Sequence, residues 1–214
     1  MSFERDHFFI CTDVGAPVAE ALAAFGFVEG PPNTHPGQGT TNRRFFFDNA
    51  MLELIWVHDE AEAGSEPARR THLLERWQQR SAGASPFGLI FRPLGKAPEA
   101  MPFPGWTYRP AYLPDDLSMH IGNNSADVTE PLCVYISVVQ RQGAGPQPEG
   151  FRTVTAVRIF SPMTHKSEVV ERVENAGAVQ FLHGDDPLME VGFEGEHSGR
   201  SHDFRPDLPL RVCW

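Results

Sequence analysis

The chain has 214 residues, 41% of them hydrophobic, enough for one large domain or two small fused ones around a continuous core. Its formal charge of -10, with the Lys and Arg residues scattered and forming no basic face, argues against a nucleic-acid partner, because a phosphate backbone would be repelled. No window approaches the roughly 18 consecutive apolar residues of a membrane span. The first residues show no signal-peptide pattern, and Cys11, Cys133 and Cys213 sit in apolar contexts without CxxC spacing. The expectation is a cytoplasmic protein with reduced, buried thiols and no membrane partner.

Residues 6–12 (DHFFICT) are aromatic and β-branched and end at Asp13-Val14-Gly15, so they read as a strand leading to a helix start. Pro17 fits the first turn of that helix, Val18, Ala21, Leu22 and Phe25 form its apolar stripe, and Gly26 occupies the C-terminal cap position. A short strand begins at Phe27-Val28. Residues 31–39 (PPNTHPGQG) then read as a loop, which places His35 in a lid or in solvent. Two strands follow at 42–47 (NRRFFF) and 51–57 (MLELIWV), joined by a tight turn at Asp48-Asn49. The first quarter of the chain is therefore β-α-β-β-β.

Ser65, Pro67, Leu73, Leu74 and Trp77 predict a helix over 65–80 that links two units. Strands are expected at 87–91, 106–112, 119–122 and 132–139. Four prolines between 93 and 104 leave this second unit without a regular helix. Residues 143–150 (GAGPQPEG) read as a linker. Beyond it lie a strand at 153–160, a helix at about 166–175 closed by Gly177, and strands at 178–182, 188–193 and 208–214, in the element order of the first unit. Residues 1–57 and 152–214 are expected to superpose.

Strand alternation places His7, Phe9 and Cys11 on one face, and Met51, Glu53, Ile55 and Val57 on one face of their strand. Glu53, flanked by Leu52 and Leu54, is costly to bury unless paired or metal-bound. In a two-residue hairpin Arg44 lies opposite Glu53, so a cross-strand ion pair is one way to satisfy it; a hydrogen bond from His7 is another. The same register points Asn42 and Arg44 together, and Arg43 to the other side. Trp106, Tyr108 and Tyr112 alternate on one face as a wall or as core. Glu190 repeats the local pattern of Glu53, while His197, His202, Asp203 and Arg205 cluster without ligand spacing.

A histidine opening the first strand (Asp6-His7-Phe8-Phe9) and a glutamate in the fourth (Met51-Leu52-Glu53-Leu54), either side of a β-α-β unit ending at Gly26, resemble the glyoxalase/bleomycin-resistance branch of the vicinal-oxygen-chelate superfamily. The runs GTTNRRFFF at 39–47 and SHDFRPDLPL at 201–210 resemble its glyoxalase-like-domain proteins. The resemblance implies an α+β fold in which repeated β-α-β-β-β units form curved mixed sheets around an open cleft, with helices outside. It divides the chain into a domain over 1–142, of two units with the second degenerate, and an additional unit over 151–214.

It also implies a divalent metal (Zn, Fe, Ni or Mn) in the cleft, held by His7 and Glu53, acting as Lewis acid on neighbouring substrate oxygens. His120 is the candidate third ligand or catalytic base, and Arg44, Asn42 and Tyr108 are the candidate substrate-binding residues. The later units lack the family's further histidine ligands: their opening strands read Phe87-Gly88-Leu89 and Val154-Thr155-Ala156. Two functions follow: a metal-assisted lyase, isomerase or dioxygenase on a small molecule, or a metal-free small-molecule-binding protein of the drug-sequestering kind. Both take a small molecule as partner and leave room for a homodimer.

Overall fold

The computed structural model describes residues 3–95, 100–137 and 147–214. Strand β1 (Phe3–Cys11) leads to helix α1 (Ala19–Phe25), then β2 (Glu29–His35), β3 (Thr40–Phe46) and β4 (Met51–Val57). After two short helices, α2 (Glu60–Ala63) and α3 (Leu73–Gln78), the second unit runs β5 (Phe87–Pro93), β6 (Gly105–Tyr108), β7 (Met119–Gly122) and β8 (Leu132–Ile136). All eight strands form one mixed sheet in the order β2-β3-β4-β1-β5-β8-β7-β6. Each unit pairs its first and last strands in parallel, and the two units meet antiparallel at β1 and β5. Among the described residues the second unit has no helix between its first two strands, in keeping with its prolines.

Alternation sorts the sheet's side chains into two layers. Phe8, Ile10, Leu52, Leu54, Leu89 and Phe91 point to the convex side and join the main core with Ala19 and Leu22 of α1. Phe9, Cys11, Ile55, Ile90, Leu132 and Val134 point to the concave side and build a second apolar cluster. Both faces of the central strands are therefore buried. Gly88 lies opposite Phe9, and a Cβ there would come within 1.9 Å of the Phe9 ring, so the sequence FGLIF carries glycine where the aromatic ring covers the neighbouring strand.

The C-terminal segment forms β9 (Val154–Ser161), α4 (Glu168–Asn175), β10 (Gln180–His183), β11 (Leu188–Phe193), β12 (Ser201–Asp203) and β13 (Leu210–Cys213) in a five-stranded sheet ordered β10-β9-β11-β13-β12. The element order follows the first unit except for one added strand, β12, and the pairing differs. Here β10 lies directly beside β9 and parallel to it, whereas β2 sits at the sheet edge, three strands from β1. The expected superposition of residues 1–57 and 152–214 is thus corrected. Hydrophobic spacing identifies strands, while pairing partners are chosen by which edge the connecting helix leaves open. Val157, Ile159, Val169, Val170 and Val173 share one continuous core with the convex side of the first sheet. Asn49, in the β3–β4 turn, hydrogen-bonds both the N–H and the C=O of Val154, as a neighbouring strand would.

Three further expectations change. The segment 31–39 is not all loop: β2 extends to His35 as an edge strand, with a bulge between Gly30 and Asn33 that accommodates Pro31 and Pro32 where no ladder hydrogen bond is needed. The helix expected over 65–80 is broken into a 3-10 turn at Ala68–Thr71 and α3, because His72 takes a left-handed conformation (φ 55°) between them. That break lets Arg76 turn fully inward, where Nη1 donates to the carbonyls of Ser85, Val128 and Glu130 at 2.6–2.9 Å. The linker expected over 143–150 lies outside the described residues as far as residue 146.

Candidate functional site

The concave side of the eight-stranded sheet encloses a cavity of about 340 Å³. Its two halves differ in chemistry. All the charged and most of the polar lining groups, His7, Asn33, His35, Gln38, Arg44 and Glu53, come from the first unit, beside Phe9, Met51 and Ile55; the second unit contributes mainly apolar and aromatic surface, Ile90, Tyr108, Met119, Ile121, Leu132 and Val134. The size falls in the range of small-molecule pockets, and so does the pattern of an apolar wall with a few convergent polar groups.

Glu53 is 6% exposed in the middle of β4. Its Oε1 accepts from Asn42 Nδ2 at 2.9 Å, and Asn42 is itself fully buried, its Oδ1 accepting from the Asn33 N–H at 2.8 Å. Asn42 therefore positions Glu53 from below and does not line the cavity. Arg44 stands directly across the ladder from Glu53, as the hairpin register requires, yet no ion pair joins them. Its guanidinium turns to the edge, where the β2 bulge leaves carbonyls free: Nε donates to Pro31 O at 2.8 Å and the group stacks 5.1 Å from Phe46. Burial lowers the Arg44 pKa, with the Glu53 charge acting in opposition. Arg43 points to the other face and pairs with Glu29 and Glu20.

His7 does not bond Glu53. Its Nδ1 donates to Asp6 Oδ2 at 2.6 Å, which leaves Nε2 as the free ring nitrogen. Burial favours the neutral ring, but the Glu53 charge and the Asp6 hydrogen bond together outweigh it, so the His7 pKa is raised above its ordinary value. His35 behaves in the opposite way. It is 6% exposed, its ring lies 4.8 Å from that of Tyr112, and burial lowers its pKa despite Glu53. Sequence reading placed this residue in a lid or in solvent, because the Pro/Gly-rich composition around it hid an edge strand.

Tyr108 lines the apolar half with a buried hydroxyl that has no protein partner, and burial pushes its phenol up to about 12. Tyr112 also lines the cavity and donates to Gln38 Oε1 at 3.3 Å; burial raises its pKa as well. Trp106 stacks instead on the Arg70 guanidinium at 4.3 Å. His120 is a correction. Met119 and Ile121 face the cavity, so alternation sends His120 to the convex side, where Nε2 donates to the Phe103 carbonyl at 2.8 Å. It is neither ligand nor base for this cleft. Glu190 is tied to Arg158 and Arg211 on the second sheet, and Asp203 to Arg205 and Arg211, so that cluster is an ion-pair ladder.

Among the described residues no group of three or more His, Cys, Asp or Glu side chains could hold a metal ion. The positions of the second unit that correspond to the His7–Glu53 half are Gly88, Ile90, Leu132 and Val134, with Gly88 paired to Leu132 and Ile90 to Val134 just as Phe9 is paired to Glu53. A catalytic zinc takes three protein ligands and a structural one four. The two expected donors, His7 Nε2 and Glu53, fall one short, and His35, which lines the same end, does not bring them to a group of three that could hold an ion.

An eight-stranded mixed sheet of two four-stranded units, joined at their first strands around an open cleft, is the α+β fold expected from the resemblance to the vicinal-oxygen-chelate superfamily. Residues 6–99, a little under half of the chain, match the family model of a glyoxalase-like domain. Among solved structures, a hypothetical protein from Staphylococcus aureus matches with TM-score 0.54 at 9% identity, over 98% of each chain. A hypothetical protein from Bacillus halodurans C-125 gives TM-score 0.44 at 10% identity, covering 66% of this chain and 99% of that one. Methylmalonyl-CoA epimerase from Mycobacterium tuberculosis gives 0.41 at 12%, covering 64% and 89%. No curated protein matches in sequence. No helix among the described residues is long and apolar enough to cross a membrane.

Proposed function

We propose that the cleft binds a small amphipathic molecule with the protein's own side chains, as a metal-free binding protein of the glyoxalase-like fold. One observation carries this reading: the second unit contributes hydrocarbon and aromatic surface at the positions facing His7 and Glu53, so the cavity is polar at one end and apolar at the other. An amphipathic ligand matches both ends at once. Its apolar body gains about 25 cal/mol for each Å² removed from water, and its polar head satisfies buried groups that otherwise lack partners. The metal-assisted lyase, isomerase or dioxygenase reading rests on His7 and Glu53 as a two-donor site.

Two measurements separate these readings. Elemental analysis after incubation with zinc, iron, nickel and manganese is expected to find no stoichiometric metal. One equivalent in the wild type that is lost in both His7→Ala and Glu53→Gln would overturn the binding reading. Titration with 4-propylphenol is expected to raise the melting temperature of the wild type, as any native-state ligand does, and to leave Ile90→Trp and Val134→Phe, which fill the apolar half, unaffected. Equal stabilisation of those variants would place the ligand elsewhere.

A further inference from the structure

The hydrogen-bond chain beneath His35 specifies which of its ring nitrogens carries the proton. The Tyr112 hydroxyl has two acceptors in reach, Gln38 Oε1 at 3.3 Å and the weaker sulfur acceptor Met119 Sδ at 3.9 Å; donation to the oxygen orients the amide so that Nε2 donates to Thr40 Oγ1 at 2.9 Å. Thr40 is 1% exposed and its one remaining contact is His35 Nδ1, at 2.9 Å. A hydroxyl has a single proton, and burying it without an acceptor is costly. The arrangement that satisfies every group has the Thr40 hydroxyl donating to His35 Nδ1, which leaves the proton of the neutral ring on Nε2. That nitrogen has no protein partner, and His35 lines the cavity. Glu53 lines the same polar end with Oε1 committed to Asn42 and Oε2 uncommitted.

We infer that His35 and Glu53 form a donor–acceptor pair that reads a neutral hydroxyl on an apolar ligand. The ligand O–H donates to Glu53 Oε2 and its oxygen accepts from His35 Nε2–H, while the hydrocarbon lies against Ile90, Ile121 and Val134. A ligand carboxylate is opposed by the buried Glu53 charge. A ligand ammonium has no lone pair to offer the His35 donor. The relay Tyr112–Gln38–Thr40 makes His35 a donor before any ligand arrives, so specificity is preorganised in the unliganded protein. This rests on the binding reading above.

The relay is tested without ligand, by long-range ¹H–¹⁵N correlation on ¹⁵N-histidine-labelled protein above pH 7. His35 is expected as the Nε2–H tautomer in the wild type and in Thr40→Ser, and as a mixture in Thr40→Val; an Nδ1–H tautomer in the wild type overturns the inference. Selectivity is tested by titrating 4-propylphenol, 4-propylanisole, propylbenzene, 4-propylbenzoate and 4-propylbenzylammonium. The phenol is expected to bind about 10-fold or more tighter than the other four, an energy typical of hydrogen bonds to a charged group. In His35→Phe, which keeps a ring beside Tyr112, the advantage is expected to shrink to about 3-fold or less. If all five bind alike, or if an ion binds best, the donor–acceptor pair is wrong while the apolar cavity stands. If none binds, both readings fall.

Discussion

Asn42 reaches Glu53 along the diagonal of the β3–β4 ladder, with Nδ2 2.9 Å from Oε1, while the residue directly opposite Glu53, Arg44, turns away to the sheet edge. A buried carboxylate is thus held by a neutral amide, and its charge stays available to the cavity and to His7. Diagonal neighbours in an antiparallel pair are within reach of side chains of this length.

Removing that amide should cost more than removing the charge. Asn42→Leu leaves a buried carboxylate without a hydrogen bond from the described residues, and is expected to lower stability by about 1–3 kcal/mol at pH 7. Glu53→Gln keeps an acceptor for Asn42 and should cost less. Urea unfolding of the two variants gives the comparison, and a neutral Asn42→Leu would contradict the geometry.

The two cavity histidines should affect stability in opposite directions with pH. His7 has a raised pKa in the folded chain, so its contribution is fully present below its unfolded pKa of about 6.5 and fades as pH rises through the folded value. His35 has a lowered pKa, so it must be charged against burial, and stability is lost as pH falls below about 6.5 toward its folded value. Stability measured from pH 8 to pH 5 should therefore fall less steeply toward acid in His35→Phe than in wild type, and more steeply in His7→Phe. In Glu53→Gln the His7 resonance should titrate at lower pH than in wild type, because the largest influence raising it is gone.

Gly88→Ala is a one-methyl change with a large expected effect. The new Cβ would lie within 1.9–2.5 Å of three atoms of the Phe9 ring, which must tilt into the cleft. Overpacking of this kind costs about 1–3 kcal/mol. The same tilt should weaken binding of 4-propylphenol, so thermal unfolding and titration of one variant check both effects.

Arg76 donates to the carbonyls of Ser85, Val128 and Glu130 from a fully buried position, and among the described residues only the Val128 oxygen of these has a second donor, the Ser85 N–H at 2.8 Å. Arg76→Met retains the bulk and strands the Ser85 and Glu130 oxygens, and a loss of about 2 kcal/mol or more is expected, each buried unsatisfied acceptor costing about 1–3. Arg76→Lys should recover part, since all three bonds leave the single atom Nη1 and an ammonium also carries three N–H donors, but on a shorter side chain. A loss under about 1 kcal/mol in Arg76→Met, measured by denaturant unfolding, would show that water replaces the guanidinium.

Strand positions, the β3–β4 hairpin and the inward placement of Glu53 were legible in the sequence, because each depends on local chemistry: period-two alternation in MLELIWV and a two-residue turn at Asp48-Asn49. The opposite facing of Arg43 and Arg44 follows from the same pleat. Which face of a strand becomes the cleft is not local. In Met119-His120-Ile121 alternation separates the histidine from its neighbours, but only the curvature of the assembled sheet sends Met119 and Ile121 into the cavity and His120 to the Phe103 carbonyl. His35 became a cavity residue only when Pro31 and Pro32 found room in an edge bulge. The choice of Asp6 for His7 and of Asn42 for Glu53 was likewise tertiary, since several partners lay within reach along the chain and the packed geometry selected among them. In the C-terminal sheet every element but the exposed, polar strand β12 was written in the spacing of apolar residues, whereas pairing β10 to β9 required knowing which strand edge was free, a property of the folded sheet alone.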